Sequence, residues 1–167
     1  MGKKLVVFSV ALFLSFTCFA SKGKDIRLSI KGDGTFLSHG GAIYQATKNT
    51  PNCTESWFDE GGAYVTMSKR IYPTFEAING IILLPYFYES HCNYERIGGA
   101  YLNFTTSEVL TSYNVVDVFE GDAETLSEQV VACKIILSGP NNDEEMVSCV
   151  GGVVTDANGY ASISVWY

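Results

Sequence analysis

Apolar and polar residues alternate along much of the chain, and the pattern is cleanest over residues 130–167. Val131, Cys133, Ile135 and Leu137 occupy alternate positions. Alternate residues of a strand share a face, so these four are expected to line one side of a core. Ser138-Gly139-Pro140-Asn141-Asn142-Asp143 interrupts the pattern with residues that accept turn geometry. Apolar positions resume at Met146, Val147 and Val150, with Cys149 among them, and Val153-Val154 leads into Asp156-Ala157-Asn158-Gly159. Asn-Gly is a strong hairpin signal because both residues tolerate positive φ. Beyond it Ala161, Ile163, Val165 and Tyr167 alternate with Tyr160, Ser162, Ser164 and Trp166. Three strands joined by two turns are predicted here.

The same reading applied upstream gives more strands. Ile26, Leu28 and Ile30 alternate with charged and polar neighbours, and Gly32-Asp33-Gly34 follows as a turn. Gly40-Gly41-Ala42, Gly61-Gly62-Ala63 and Gly98-Gly99-Ala100 echo one another at spacings that fit no fixed repeat, and they predict three strand starts after glycine turns. A phosphate-cradling reading of these glycines would need a following helix and a lysine or G-x-G-x-x-G spacing, and neither is present. The run Ile78-Asn79-Gly80-Ile81-Ile82-Leu83-Leu84 predicts a buried strand within the most aromatic part of the chain. Val115, Val116, Val118 and Phe119 predict another strand. Residues 122–129, rich in helix formers, are the one place where a short helix is expected. No linker-like stretch divides the chain.

Thr155-Asp156-Ala157-Asn158-Gly159-Tyr160-Ala161, followed by the Ser162-Ile163-Ser164-Val165 alternation, resembles the late hairpin of bacterial immunoglobulin-like domains of the invasin/intimin type. The strand ending in Leu137-Ser138-Gly139 is similar to the one before that hairpin. The resemblance covers about a quarter of the chain. It implies a β-sandwich and surface display, and it brings no catalytic residue.

The N-terminus changes the picture of where the protein works. Met1-Gly2-Lys3-Lys4 is basic, residues 5–16 are apolar apart from Ser9 and Ser15, and Cys18-Phe19-Ala20 places small residues at −3 and −1. This predicts a secretory signal peptide over residues 1–20, cleaved after Ala20, with residues 21–167 as one β-rich domain. The apolar run is too short to span a bilayer. A lipidated Cys18 is disfavoured by the missing leucine three residues before it. Loss of Lys3 and Lys4 leaves nine basic against eighteen acidic residues, a net charge of −9. A chain this acidic without a basic cluster excludes nucleic acid and anionic membrane surfaces as partners.

Four cysteines remain: Cys53, Cys92, Cys133 and Cys149. An even number in an exported chain predicts two disulfides. Of the three connectivities, Cys133–Cys149 would staple the predicted strand-turn-strand, leaving Cys53–Cys92. A thiolate metal site with His39 and His91 lacks zinc spacing. A calcium site at Asn141-Asn142-Asp143-Glu144-Glu145 with Asp156 and Asn158 lacks an ordered ligand pattern. No cofactor is implied.

Catalysis finds little support. His39 and His91 are the two histidines, neither lies in a recognised motif, and no G-x-S-x-G elbow occurs. Tyr86, Tyr88, Trp57 and Trp166 are candidates for a surface that binds protein or glycan, against the alternative that such aromatic residues fill the core. Asn52-Cys53-Thr54 and Asn103-Phe104-Thr105 are glycosylation sequons, meaningful only in a cell with an endoplasmic reticulum. The expectation is an all-β, disulfide-bonded antiparallel sandwich, immunoglobulin-like or jelly-roll-like, with at most one short helix. An eight-stranded outer-membrane barrel is the alternative, drawn from the aromatic-ended last strand. A secreted hydrolase is the third.

Overall fold

The computed structural model describes residues 23–32, 36–139 and 144–166. The predicted leader, Asp33 and Gly34 of the first turn, the centre of the turn at 138–143, and Tyr167 lie outside them. Strands follow in the order β1 (Ile26–Lys31), β2 (Leu37–Ala46), β3 (Thr54–Phe58), β4 (Tyr64–Ser68), β5 (Arg70–Ile71), β6 (Thr74–Glu76) and β7 (Ile81–Leu84). Then come β8 (Phe87–Tyr88), β9 (Tyr94–Thr105), β10 (Val116–Glu120), β11 (Gln129–Ser138), β12 (Glu144–Val150), β13 (Val153–Thr155) and β14 (Tyr160–Trp166). A single 3-10 turn, Pro51–Cys53, is the one helical element among the described residues.

The all-β expectation holds. One sheet runs β12-β11-β14-β1-β7, a second runs β13-β10-β9-β2-β5 with β6 on β2 and β8 on β9, and β3 and β4 pair only with each other. Ile26, Leu28, Ile82, Val131, Ala161 and Ile163 of the first sheet join Ala42, Tyr44, Leu102, Phe104, Val116 and Val153 of the second in one buried cluster.

The antiparallel expectation needs correction. β14 runs parallel to both β1 and β11, and β10 runs parallel to β13. The cause lies at Asp156-Ala157-Asn158-Gly159. The turn closes, with Gly159 N–H donating to Asp156 O at 2.9 Å and Asp156 N–H to Tyr160 O at 2.8 Å. β13 and β14 nevertheless separate beyond it, one into each sheet. Only Gly159 takes a positive φ (80°), so the turn is not the mirror-image type that would keep two strands paired. The turn of that type lies elsewhere. Asn79 (φ 52°) and Gly80 (φ 73°) both sit in the left-handed region, and Ile78 and Ile81 exchange backbone bonds across them. The predicted single strand over 78–84 is therefore a tight turn followed by β7, whose Ile82 and Leu84 are buried while Ile81 and Leu83 are exposed.

Both Asn-Gly turns carry the chain from the second sheet into the first. Both also hold β1, because Arg27 N–H donates to Gly159 O (2.8 Å) and Ile30 N–H donates to Gly80 O (2.7 Å). A Cβ on Gly159 would stand 2.3 Å from Asp25 O, so glycine is required there for close approach as well as for φ.

Three further expectations change. Gly40-Gly41 and Gly98-Gly99 lie inside β2 and β9, and of the three echoes only Gly61-Gly62 is a turn. The two inner pairs flank the irregular part of the β2–β9 ladder: Gly40 and Gly41 face Leu102 and Tyr101, Gly98 faces Ile43, and the register shifts between Gly41 and Tyr44, bulging β9. Residues 122–128 form no helix. Their neighbourhood is bound to β13 instead: Gly121 N–H donates to Thr155 O, and the Gln129 carboxamide pairs with both the N–H and the C=O of Val154. In β11, Val131 and Cys133 are buried, but Ile135 and Leu137 are not, because the strand runs past the core.

Candidate binding face

The ribbon β3–β4 stands apart from the two sheets. An isolated two-stranded ribbon is marginal in water. This one keeps Trp57, Phe58, Tyr64 and Met67 exposed, with Phe58 71% and Tyr64 68% accessible. Trp57 pairs with Val65 and Glu55 with Met67, so one face carries Trp57, Val65 and Met67. On the other face the Phe58 and Tyr64 rings meet edge to face with centroids 5.4 Å apart, and Ser56 and Thr66 share a hydroxyl hydrogen bond of 2.8 Å. The tip is closed by the Asp59 carboxylate, which accepts Ala63 N–H at 2.7 Å.

The root of the ribbon is covalently fixed. Cys53, immediately before β3, is bonded to Cys92, and Lys69, immediately after β4, donates its N–H to Cys53 O at 2.9 Å. Cys92 belongs to the loop after β8. In that loop Asn93 takes a left-handed φ of 48°, and its carbonyl accepts both the N–H and the hydroxyl of Thr47, each at 2.8 Å. Lys48 Nζ donates to His91 O at 2.7 Å. Beside this loop Thr47, Phe87, Tyr88, Glu89 and Asn93 line a groove of about 210 Å³. The Tyr88 ring is braced by Tyr44 and Phe75 (centroids 6.2 and 6.3 Å), and the Phe87 ring by Tyr86 at 4.8 Å.

Below the aromatic strip sits a buried cation that the sequence pattern did not single out. The Arg96 guanidinium donates to Leu84 O (2.8 Å), Pro85 O (3.4 Å) and Lys24 O (2.7 Å), and pairs with Glu120 at 3.0 Å. It ties four stretches of chain together and lies 6.0 Å from the centre of the Tyr86 ring. The Tyr44 hydroxyl donates to Pro85 O at 2.7 Å, and burial pushes its pKa up to about 12, against the opposing pull of Arg96. Tyr86 is half-buried, with its N–H on the Asp25 carboxylate at 2.8 Å.

The four aromatic candidates therefore separate by role. Trp57 is on the ribbon, Tyr88 lines the groove, Tyr86 packs over Arg96, and Trp166 projects from the outer side of β14. The cysteines pair as Cys53–Cys92 and Cys133–Cys149, the latter between direct partners of the β11–β12 ladder. Cys92 is thus no free thiol beside His91. Asp156 commits Oδ1 to the N–H groups of Asn158 and Tyr160, and Asn141, Asn142 and Asp143 lie outside the described residues. His39 borders a larger cleft of about 600 Å³ at one end of the two sheets, with Ile30, Phe36, Glu76, Thr105 and Val165. Among the described residues the other titratable one lining it is Glu76, which faces His39 across the β2–β6 ladder. Nothing in the sequence reading marked the groove as a unit, because Thr47 lies some forty residues from Phe87 and the disulfide brings their loops together. Comparisons with known protein families, with characterised proteins and with solved structures return no match.

Proposed function

We propose that the protein is an exported, disulfide-stabilised β-sandwich of immunoglobulin-like or jelly-roll-like type whose role is to bind a protein or glycan outside the cytoplasm. The ribbon β3–β4 carries this reading. The long sheets blunt exposed strands: Asn114 covers β12 by pairing its carboxamide with both backbone groups of Cys149, and Gln129 does the same for Val154 of β13. The ribbon has no such cover among the described residues, yet it displays aromatic side chains on a covalently anchored root. Trp and Tyr dominate the energetics of recognition surfaces, and unprotected strand edges invite pairing unless a protein manages them. Two disulfides fit an oxidising compartment. The two open sheets favour a sandwich over an outer-membrane barrel, which needs one closed sheet.

The test is an array of extracellular proteins and oligosaccharides, probed with the exported protein and with its Trp57→Ala/Phe58→Ala/Tyr64→Ala variant. Saturable binding to particular targets, reduced tenfold or more in the variant, is expected. Absence of saturable binding, or equal binding by the variant, would sink the reading.

A further inference from the structure

We infer that the groove beside β8 is a subsite for one neutral pyranose ring, an inference that rests on the binding reading above and names one of its ligand classes. Three features of the groove converge. First, it has a flat apolar platform that is held still. Phe87 is 48% and Tyr88 38% exposed, although each ring is packed edge-on by others. A pyranose has an apolar face of C–H groups that stacks on such a ring while its hydroxyls stay free to hydrogen-bond.

Second, polar groups line the same groove and are uncommitted. The Glu89 carboxylate and the Asn93 carboxamide make no hydrogen bond among the described residues, and the Thr47 hydroxyl, which donates to Asn93 O, retains acceptor capacity. Together they offer acceptors and donors to ring hydroxyls. Pockets of mixed apolar floor and few polar groups are the usual small-ligand sites.

Third, the loop is organised before any ligand arrives. Asn93 is held in a left-handed conformation by Thr47, and its neighbour Cys92 is bonded to Cys53. Asparagine adopts this conformation readily, and the two bonds from Thr47 fix it there. Preorganisation lowers the ordering cost of binding.

Size and charge narrow the class. A volume of about 210 Å³ suits a single ring seated in the groove. Glu89 disfavours uronic and sialic acids. A quaternary ammonium would also suit aromatic rings beside a carboxylate, but it is recognised by a cage. Phe87 and Tyr88 are adjacent in a strand and point to opposite sides, so a ligand meets a platform and not a cage.

The experiment is amide NMR of the exported, oxidised protein, titrated separately with methyl β-glucoside, methyl β-galactoside, N-acetylglucosamine and choline. At least one sugar is expected to shift the amides of Thr47, Tyr88, Glu89 and Asn93 saturably. Phe87→Ala and Glu89→Ala should each weaken that binding tenfold or more while leaving distant amides unmoved. Silence of these amides toward all three sugars, a response to choline alone, or undiminished binding by both variants overturns the inference. The binding reading is judged separately: a ribbon variant that loses array targets keeps that reading alive even if the groove is silent.

Discussion

Two carboxamides act as substitute strands. Asn114 meets Cys149 with donor and acceptor together, and Gln129 does so at Val154. Each satisfies a backbone pair that would otherwise lack a neighbour, and a lost partner costs about 1–3 kcal/mol. Asn114→Asp keeps the shape but turns an acceptor toward the Cys149 carbonyl. It is expected to lower unfolding stability by about 1–3 kcal/mol, at least as much as Asn114→Ala, as read by denaturant titration. An unchanged midpoint would show that β12 does not depend on this contact. Tyr44 gives a pH signature. Its neutral phenol is favoured by burial, so the folded form holds its proton to about pH 12 while the unfolded chain releases it near 10. The unfolded state then binds fewer protons, and stability falls as pH rises. The contribution is complete below pH 10 and lost between 10 and about 12, with a slope of about 1.4 kcal/mol per pH unit. Tyr44→Phe should lose about 1 kcal/mol at neutral pH with its bond to Pro85, and show a correspondingly shallower alkaline decline. Parallel declines in the two proteins would contradict this account.

Strands, turns and staples differ in how much of them the local sequence carries. β14 was legible because Ala161, Ile163 and Val165 alternate with polar neighbours, and all three are buried. Cys133–Cys149 was legible because the two residues flank a turn in matched strands. The tight turn at Asn79-Gly80 carried its own signal, but the apolar residues around it masked that signal as one strand. The ribbon β3–β4 left no hydrophobic pattern, since almost every residue of it is exposed or half-buried. Its stability must come from the Cys53–Cys92 bond and the backbone contacts at its root. That bond closes a loop of 39 residues, worth about 4 kcal/mol in the chain-entropy model. Cys53→Ala/Cys92→Ala is expected to open the ribbon first, so trypsin should cut at Lys69 and Arg70 while β11–β12 stays protected. Cleavage spread evenly over the chain would mean that the ribbon is no separate unit.

At the scale of the molecule, the two disulfides and one shared core set the conditions for folding. Their combined entropic contribution, about 7 kcal/mol, is comparable with the total stability of an ordinary domain. Reductant should therefore abolish cooperative thermal unfolding near 37 °C, read by circular dichroism. A reduced protein that still melts cooperatively well above that temperature would show that the core suffices alone. By itself the sequence determined what short-range patterning can encode: an all-β chain, the period-two faces of β1 and β14, the acidic charge, and an even set of four cysteines, whose pairing only the fold decided. The tertiary structure decided the rest. Which sheet a strand joins depends on partners far away in the chain, so the Asn158-Gly159 turn became a crossing between sheets and the pairing became mixed. Helix formers at 122–128 gave way to the hydrogen bonds that Gly121 and Gln129, on either side of them, make with β13. Thr47, Phe87, Tyr88, Glu89 and Asn93 became one groove only because the β2–β9 ladder and a disulfide bring distant loops together. No local pattern records that proximity, because it arises from long-range pairing and not from the propensity of any segment.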